Sequence, residues 1–309
     1  MSQEIRGIYA AVITPFGRDS RPAYDEFAAY LKHLAQRGCH GALIAGTTGE
    51  GPSLSVAERT TLFKAAARSN TGLRLLAGAG ASSLEDSIAI TRAAFDAGAA
   101  GVVVIPPFFY SNPPLEGLLE FYTRLIRAAV PVDGNVLLYH NPTVSAPTID
   151  RRLIARLRDA FPHQVVGIKD SSSDWAYTQA LLDEFPGFQV FVGDDQFLAQ
   201  GLAAGAAGAI TLVAGLFPDL LRTVYDLHEQ GAPTTQAQER LTTARRQIDD
   251  LPRIAATKWL LKASKLIAHE AVRPPLSALS EAHIATLGQR FHTDLRSPIA
   301  INLADLARK

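Results

Sequence analysis

The sequence alternates short apolar runs with longer amphipathic stretches eight times, and this alternation constrains the fold more than any other feature. The runs are rich in β-branched residues and continuously hydrophobic, which is typical of parallel strands covered on both faces. They occupy residues 8–14, 41–46, 73–79, 100–106, 135–140, 165–169, 188–193 and 208–213.

Helical patterns fill the gaps between the runs, and capping residues agree with them. The predicted helices cover residues 24–37, 56–69, 84–97, 115–128, 150–158, 174–184, 196–204 and 218–230. The start signals are Ser55 with Glu58, Ser83 with Asp86, and Pro218, and the stop signals are Gly38 and Gly98.

Eight strand–helix repeats in succession predict a (β/α)8 barrel over residues 1–232. A doubly wound sheet is the alternative, but it normally has fewer strands and a glycine-rich first turn. Residues 233–309 carry three further helical patterns, at 234–247, 254–270 and 277–289. We predict that they form a C-terminal helical extension packed on the barrel.

Composition excludes several classes of function. Lysine plus arginine balance aspartate plus glutamate at 30 each, so the chain lacks the basic surface of a nucleic-acid-binding protein, and no charge run indicates a membrane partner. The single cysteine, Cys39, excludes a disulfide framework and is expected to be an inert core thiol. No apolar stretch is long enough to span a bilayer, and the N-terminus has no signal core. These features indicate a cytoplasmic protein.

Active sites of such barrels lie at the carboxyl ends of the strands, and Lys169 ends the sixth apolar run. Burial lowers the pKa of a lysine side chain by up to about 3–5 units, which increases the fraction of nucleophilic amine. A desolvated lysine that attacks a carbonyl forms a Schiff base. The alternative is a lysine that extends to solvent or pairs with Asp170.

Tyr139 ends the neighbouring fifth run, so its phenol is expected near the lysine. A phenol can transfer protons while a carbinolamine forms and dehydrates. The alternative is a core tyrosine with one hydrogen-bonded hydroxyl, which is commoner.

The segment GTTGEG at 46–51 follows the second run and combines flexible glycines with two hydroxyls. Backbone amides freed by Gly46, together with Thr47 and Thr48, would form a cradle for a carboxylate or phosphate. A tight turn with hydroxyl caps is the alternative. Two other strand-end residues, Gly193 and Thr211, are further candidate substrate contacts.

The histidines show neither HxH nor HExxH spacing, and no GxSxG elbow is present. His140, Asp194 and Asp195 are the only carboxylate or imidazole groups near the strand ends that a metal-dependent aldolase could use, and they suit it poorly. We therefore predict neither a metal site nor a cofactor.

Six motifs in order resemble the dihydrodipicolinate synthase / N-acetylneuraminate lyase family of pyruvate-handling class I aldolases and dehydratases. The resemblance covers nearly the whole chain. The motifs are Thr14-Pro15-Phe16, GTTGE (46–50), Tyr139-x-x-Pro142, GIKD (167–170), GDD (193–195) and RPPL (273–276).

This resemblance implies a role for each matching residue. Lys169 matches the Schiff-base lysine and Tyr139 the proton-shuttling tyrosine. Thr47 and Thr48 match the pair that holds the pyruvyl carboxylate and links to the tyrosine. The strand-8 residue Ile210 matches a position whose backbone carbonyl faces the lysine.

The resemblance also implies contributions from outside this central group. Tyr110 matches an aromatic hydroxyl lent by a neighbouring subunit, with Phe109 as the alternative for that position. Asp195 and Gln196 match positions that contact the distal part of the substrate in sugar-acid aldolases. The family usually forms homotetramers built as dimers of dimers, so a homotetramer is expected here.

One departure from the family pattern bears on the substrate. Dihydrodipicolinate synthases carry an arginine two residues after the proline of Tyr-x-x-Pro, and here that position is Val144. Valine cannot bind a carboxylate, and the threonine turn looks more like that of 2-keto-3-deoxy sugar-acid aldolases. We predict aldol cleavage or condensation between pyruvate and an aldehyde. The alternatives are dehydration of a 2-keto-3-deoxy acid, a synthase-like condensation, or a non-catalytic pyruvate-binding barrel.

Overall fold

The computed structural model describes residues 5–291, and its eight parallel strands close into a barrel. Each strand pairs with the next in sequence, and the last pairs back with the first. The predicted (β/α)8 barrel is therefore confirmed. The strands are β1 (Gly7–Ala11), β2 (Gly41–Ile44), β3 (Arg74–Ala79), β4 (Gly101–Val104), β5 (Asn135–His140), β6 (Val165–Asp170), β7 (Gln189–Val192) and β8 (Gly208–Thr211).

Within residues 5–291, α-helices alternate with the strands and are followed by three more. The first eight are α1 (Tyr24–Gln36), α2 (Val56–Arg68), α3 (Leu84–Asp96), α4 (Leu115–Ala129), α5 (Arg151–Ala160), α6 (Trp175–Glu184), α7 (Leu198–Ala203) and α8 (Pro218–Glu229). The last three are α9 (Thr235–Arg246), α10 (Arg253–Ala263) and α11 (Glu281–Arg290). None of the helices within residues 5–291 is long and apolar enough to cross a membrane. Residues 292–309 of the predicted extension lie outside the described part of the chain.

Local capping chemistry fixes several helix ends as the sequence predicted. Ser55 Oγ accepts a hydrogen bond from the backbone of Glu58, and the Glu58 carboxylate accepts one from the backbone of Ser55, which completes a capping box. The Ser83 side chain caps α3. Gly38 and Gly98 follow α1 and α3 with φ of 89° and 87°, a left-handed conformation that favours glycine.

Two apolar layers fill the molecule. The outer layer lies between strands and helices and includes Cys39, whose burial raises the pKa of its thiol to about 12. The inner layer fills the barrel, where the rings of Tyr9 and Phe191 meet edge to face at 5.7 Å. This packed interior leaves the carboxyl ends of the strands as the place for a site.

The helices of the extension are shorter than their apolar patterns predicted. The pattern at 254–270 ends as a helix at Ala263, because Lys265 adopts a left-handed φ of 61°. The amide of Leu266 then donates to the carbonyl of Leu261, which completes a Schellman ending. The pattern at 277–289 becomes helical only at residue 281, where the Ser280 side chain caps α11.

A buried ion pair joins the extension to the barrel. Lys258 of α10 binds Glu50, in the turn after β2, and both side chains are fully buried. Lys258 Nζ also donates to the carbonyl of Ala271 at 2.7 Å and lies 4.1 Å from the centroid of the Phe16 ring. The second carboxylate oxygen of Glu50 accepts the backbone N–H of Arg273 at 2.8 Å. The extension is thus attached at the carboxyl end of the barrel.

We expect Lys258→Ala to lower the free energy of unfolding by about 3–5 kcal/mol, because it leaves the Glu50 carboxylate buried and uncompensated. Urea denaturation at a fixed protein concentration measures this change. The double variant Glu50→Gln/Lys258→Met should recover most of the loss, since it removes both charges and keeps an acceptor for the Arg273 amide.

Lys262→Ala is the matched control on the same helix. Lys262 Nζ pairs with Glu270 at 2.6 Å, and both side chains are partly exposed. Its loss should therefore cost less than about 1 kcal/mol. Equal effects of Lys258→Ala and Lys262→Ala would contradict the proposed anchoring role of the buried pair.

Candidate active site

A bulge in β6 decides the direction of Lys169. Side chains alternate between the two faces of a regular strand, and Val165 packs in the outer layer, so strict alternation would turn Lys169 outward as well. The pairing of β5 with β6 instead shifts register and passes over Val166. Ile168 then packs in the outer layer, and Lys169 turns into the barrel mouth.

Gly167 lets the neighbouring strand approach at this bulge, since a Cβ there would lie 2.3 Å from the carbonyl oxygen of Gln189. Beyond the bulge, Lys169 is the register partner of Tyr139 on β5. Lys169 Nζ lies 4.3 Å from the centroid of the Tyr139 ring, and the two residues are only 4% and 5% exposed. Amine and phenol therefore share an enclosed space.

The Tyr139 hydroxyl belongs to a hydrogen-bonded chain. It lies 3.3 Å from Thr47 Oγ1 and accepts a hydrogen bond from Asn141 Nδ2 at 2.9 Å. Burial raises the pKa of the phenol, whereas the positive charge of Lys169 lowers it. Hydrogen bonds with Thr47, Asn141 and Ser171 lower it further, and the net pKa lies below its ordinary value of 10.0. A phenol in this setting is suited to passing protons.

The turn after β2 is held closely against the barrel mouth. The amide of Gly51 donates to the carbonyl of Gly46 at 2.9 Å, and Thr14 Oγ1 donates to the carbonyl of Gly49 at 2.7 Å. A Cβ on Gly51 would lie 2.1 Å from the carbonyl oxygen of Ala45, so this close approach requires glycine. The turn therefore holds Thr47 and Thr48 in fixed positions.

A cavity of about 370 Å³ opens above these residues, between the barrel mouth and the extension. Its far wall comes from residues 252–255 and 276–277 of the extension. The structure brings seven of the sequence-predicted residues to this one cavity: Thr47, Thr48, Tyr139, Lys169, Gly193, Ile210 and Thr211.

A second, more apolar cavity of about 230 Å³ lies on the β2–β4 side. It shares Thr47, Tyr139 and Val144 with the first, so the two spaces meet at the threonine–tyrosine contact. The predicted residue Gly46 lines this second space. Val144 is half exposed and presents only an apolar side chain to both cavities.

Asp195 and Gln196 do not line the larger cavity. Asp195 is buried and accepts a hydrogen bond from Arg245 Nη1 at 3.1 Å, and burial raises the pKa of its carboxyl to about 6. Arg245 also pairs with Asp194 at 2.9 Å. Gln196 is exposed on the surface. These ion pairs attach Arg245 to the two aspartates that directly follow Gly193.

Tyr110 is 71% exposed on the loop between β4 and α4, and Phe109 beside it is 77% exposed. Their rings meet edge to face at 5.4 Å. Neither residue lines the larger cavity of its own chain. Two adjacent exposed aromatic rings are unusual on the surface of a monomer.

The candidate metal ligands have structural partners. His140 Nδ1 accepts the amide of Ile149 at 3.1 Å, and its ring packs against Tyr177. Asp194 accepts a hydrogen bond from Ser173 at 2.7 Å in addition to its pairing with Arg245. Within residues 5–291, no three His, Cys, Asp or Glu side chains converge as a metal site requires.

The sequence assigned no role to four residues that shape this site. Asn141 and Ser171 each lie two residues after an identified one, so the strand period of the Tyr139 and Lys169 segments could have indicated them. Ser171 also explains a glycine, because a Cβ on Gly193 would lie 2.0 Å from its hydroxyl. Glu50 and Arg253 depend on how the extension folds back, and no local pattern reveals that.

Comparisons with known proteins identify the family. The model of the dihydrodipicolinate synthetase family matches residues 4–293. A DapA-like lyase of Chloroflexus aurantiacus is 40% identical over 285 residues, which cover 92% of this chain and 95% of the relative. A 4-hydroxy-tetrahydrodipicolinate synthase of Methanoculleus marisnigri is 34% identical over 230 residues, which cover 73% of this chain and 77% of the relative.

Solved structures agree with this result. The dihydrodipicolinate synthase of Acinetobacter baumannii complexed with pyruvate superposes with a TM-score of 0.85 at 27% identity, covering 93% of this chain and 97% of that one. A sialic acid aldolase of Ruminococcus gnavus has the same fold, with a TM-score of 0.86 at 20% identity, covering 98% and 96%. The chain therefore belongs to the dihydrodipicolinate synthetase family and is a lyase of the class I aldolase type.

Proposed function

We propose that Lys169 forms a Schiff base with the C2 carbonyl of a 2-oxo acid. The observation that carries this proposal is the enclosed amine, which lies against the Tyr139 ring at the wall of the larger cavity. Lys169 is the only lysine among the described residues that line this cavity. The related Acinetobacter enzyme was solved with pyruvate, which supports a pyruvyl compound as the substrate class.

The cavity residues have separate roles in imine formation. The amine of Lys169 attacks C2, and Tyr139 relays a proton from nitrogen to the carbonyl oxygen to give a carbinolamine. Tyr139 then protonates the departing hydroxyl, and loss of water leaves a protonated imine. Thr47 and Thr48 hold the carboxylate, which fixes the carbonyl beside the amine and lowers the entropic cost of attack.

The protonated imine then serves as an electron sink for carbon–carbon cleavage. The Tyr139 phenolate left by the loss of water takes the proton of the C4 hydroxyl, the C3–C4 bond breaks, and its electron pair enters the imine to give an enamine of pyruvate. The aldehyde leaves, Tyr139 returns the proton to C3 of the enamine, and hydrolysis of the resulting imine releases pyruvate and the lysine amine. The backbones of Gly46, Gly193 and Ile210 and the hydroxyl of Thr211 supply further contacts to the bound acid. Asp195 acts through Arg245 on the Gly193 loop, and no metal or cofactor is needed.

The apolar Val144 favours a 2-keto-3-deoxy sugar acid or related 2-oxo acid over aspartate semialdehyde. A carboxylate on the aldehyde would face the valine side chain, which offers no hydrogen-bond donor. A dehydratase could use the same lysine and the same imine.

We also propose that the chain assembles as a homotetramer built from two dimers. Tyr110 and Phe109 together expose two aromatic rings, a composition that is enriched in protein interfaces. In this assembly, Tyr110 of one subunit completes the proton path of its neighbour.

Borohydride treatment in the presence of pyruvate should add one reduced three-carbon group to Lys169, because borohydride reduces an imine to a stable amine. Intact-mass and peptide mass spectrometry measure the adduct and its position. Lys169→Ala should abolish labelling, whereas Lys262→Ala should label like the wild type. An adduct that persists in Lys169→Ala would overturn the mechanism.

Tyr139→Phe should slow turnover by about 100-fold or more, because it removes the proton relay and keeps the ring. Steady-state pyruvate release measures the effect. The matched control is Tyr122→Phe, which removes another buried hydroxyl, one that donates to the carbonyl of Val104 at 3.2 Å outside the cavity. Turnover near the wild-type value in Tyr139→Phe would exclude the relay.

Tyr110→Phe should lower kcat more than it changes KM, while sedimentation velocity still shows the wild-type assembly. Phe109→Leu is the matched control on the same loop and should retain more of the wild-type kcat. If Phe109→Leu lowers kcat and Tyr110→Phe does not, the shared hydroxyl comes from elsewhere and Phe109 occupies the position.

A further inference from the structure

The charged side chains that line the larger cavity, among the described residues, are all positive. Its wall contains two cationic side chains, Lys169 and Arg253, and no aspartate or glutamate among the described residues. In the proposed function, Lys169 bonds to the carbonyl carbon, and Thr47 and Thr48 hold the adjoining carboxylate. Arg253 therefore remains as a cation without an assigned partner in the reaction.

Arg253 also occupies a position that is electrostatically unfavourable in the protein alone. It is the first residue of α10, where the helix dipole is positive and acidic side chains are preferred, yet the first turn contains none. Within residues 5–291, its guanidinium has no ion pair or hydrogen bond. Functional sites are where a residue that opposes the helix dipole is expected, because function can require a side chain that local stability disfavours.

The position of Arg253 matches the distal end of a bound substrate. Residues 252–255 form the wall contributed by the extension, whereas the lysine and the threonine turn belong to the barrel. An extended acid anchored at the barrel by its C1 carboxylate would direct its other end toward the extension. On the β5 side, Val144 offers that end no charge.

We propose that Arg253 binds a second anionic group at the far end of the substrate, so that the preferred substrate is a dianionic 2-oxo acid. This inference rests on the proposed function, because it takes the C1 carboxylate and the carbonyl to be held at Thr47, Thr48 and Lys169. A guanidinium presents paired N–H donors that match either a carboxylate or a phosphate. The shared chemistry is therefore a terminal oxyanion.

Binding measurements test the inference without turnover. Calorimetry compares 2-oxoglutarate with 2-oxopentanoate, which has the same number of carbons but a terminal methyl group in place of the second carboxylate. The wild type should bind 2-oxoglutarate at least about tenfold more tightly, since a charge-assisted hydrogen bond contributes at least that much. Arg253→Gln should reduce this preference to less than about threefold, because a neutral hydrogen bond from glutamine contributes less affinity than a charge-assisted one.

Two variants control for charge and position. Arg253→Lys keeps the positive charge and should retain more of the preference than Arg253→Gln. Arg246→Gln removes an exposed arginine of α9 that does not line the cavity, and it should leave the preference unchanged. Thermal unfolding of each variant should match the wild type, because Arg253 and Arg246 are exposed and Arg253 makes no side-chain hydrogen bond or ion pair with the described residues.

A second pair of compounds distinguishes the two anions. Cleavage of 2-keto-3-deoxy-6-phosphogluconate is compared with cleavage of 2-keto-3-deoxygluconate as a ratio of kcat/KM. A larger loss of preference in this pair on Arg253→Gln identifies a phosphate, and a larger loss in the dicarboxylate pair identifies a carboxylate. If neither pair shows a preference, or if Arg253→Gln leaves both preferences unchanged, the inference is wrong.

The borohydride experiment separates this outcome from failure of the proposed function. If pyruvate labels Lys169 but Arg253→Gln changes neither preference, only the distal-anion inference fails. If pyruvate labels nothing but the preference for the second anion disappears in Arg253→Gln, Arg253 still binds an anion and the Schiff-base proposal fails.

Discussion

The site depends on the register between β5 and β6. A one-residue bulge beside Gly167 reverses the alternation of β6 and turns Lys169 from the outer layer into the barrel mouth. The same shift makes Lys169 the neighbour of Tyr139 rather than of a helix. The proposed chemistry follows from this geometry, because an amine and a phenol that share an enclosed space can exchange protons while a carbonyl compound is bound between them.

The barrel by itself does not complete the cavity. Glu50 stands at the end of the threonine turn, and its buried contacts with Lys258 and Arg273 hold that turn and the extension in one arrangement. The same attachment brings the start of α10 over the barrel mouth, where Arg253 faces the cavity. In our proposal the barrel places the reacting carbonyl of the substrate, and the extension places the far end of the molecule.

Much of this could be predicted from the sequence, and what could not has physical reasons. The eight repeats, the capping box at Ser55 and the clustering of strand-end residues follow from periodicity and from the rule for parallel barrels. The inward direction of Lys169 does not follow, because simple alternation from Val165 points the other way. The pairing of Asp195 with Arg245 joins residues far apart in sequence, and the turn after α10 contains a left-handed lysine, Lys265, rather than a glycine. These features depend on tertiary contacts, which local sequence patterns do not predict.

A crystal structure of the protein soaked with pyruvate tests the central claim most directly. We expect continuous electron density from Lys169 Nζ to C2 of the pyruvyl group, with the carboxylate on the turn of Thr47 and Thr48 and the Tyr139 hydroxyl beside the new bond. Pyruvate bound without a covalent bond, or attached to a different residue, would contradict it.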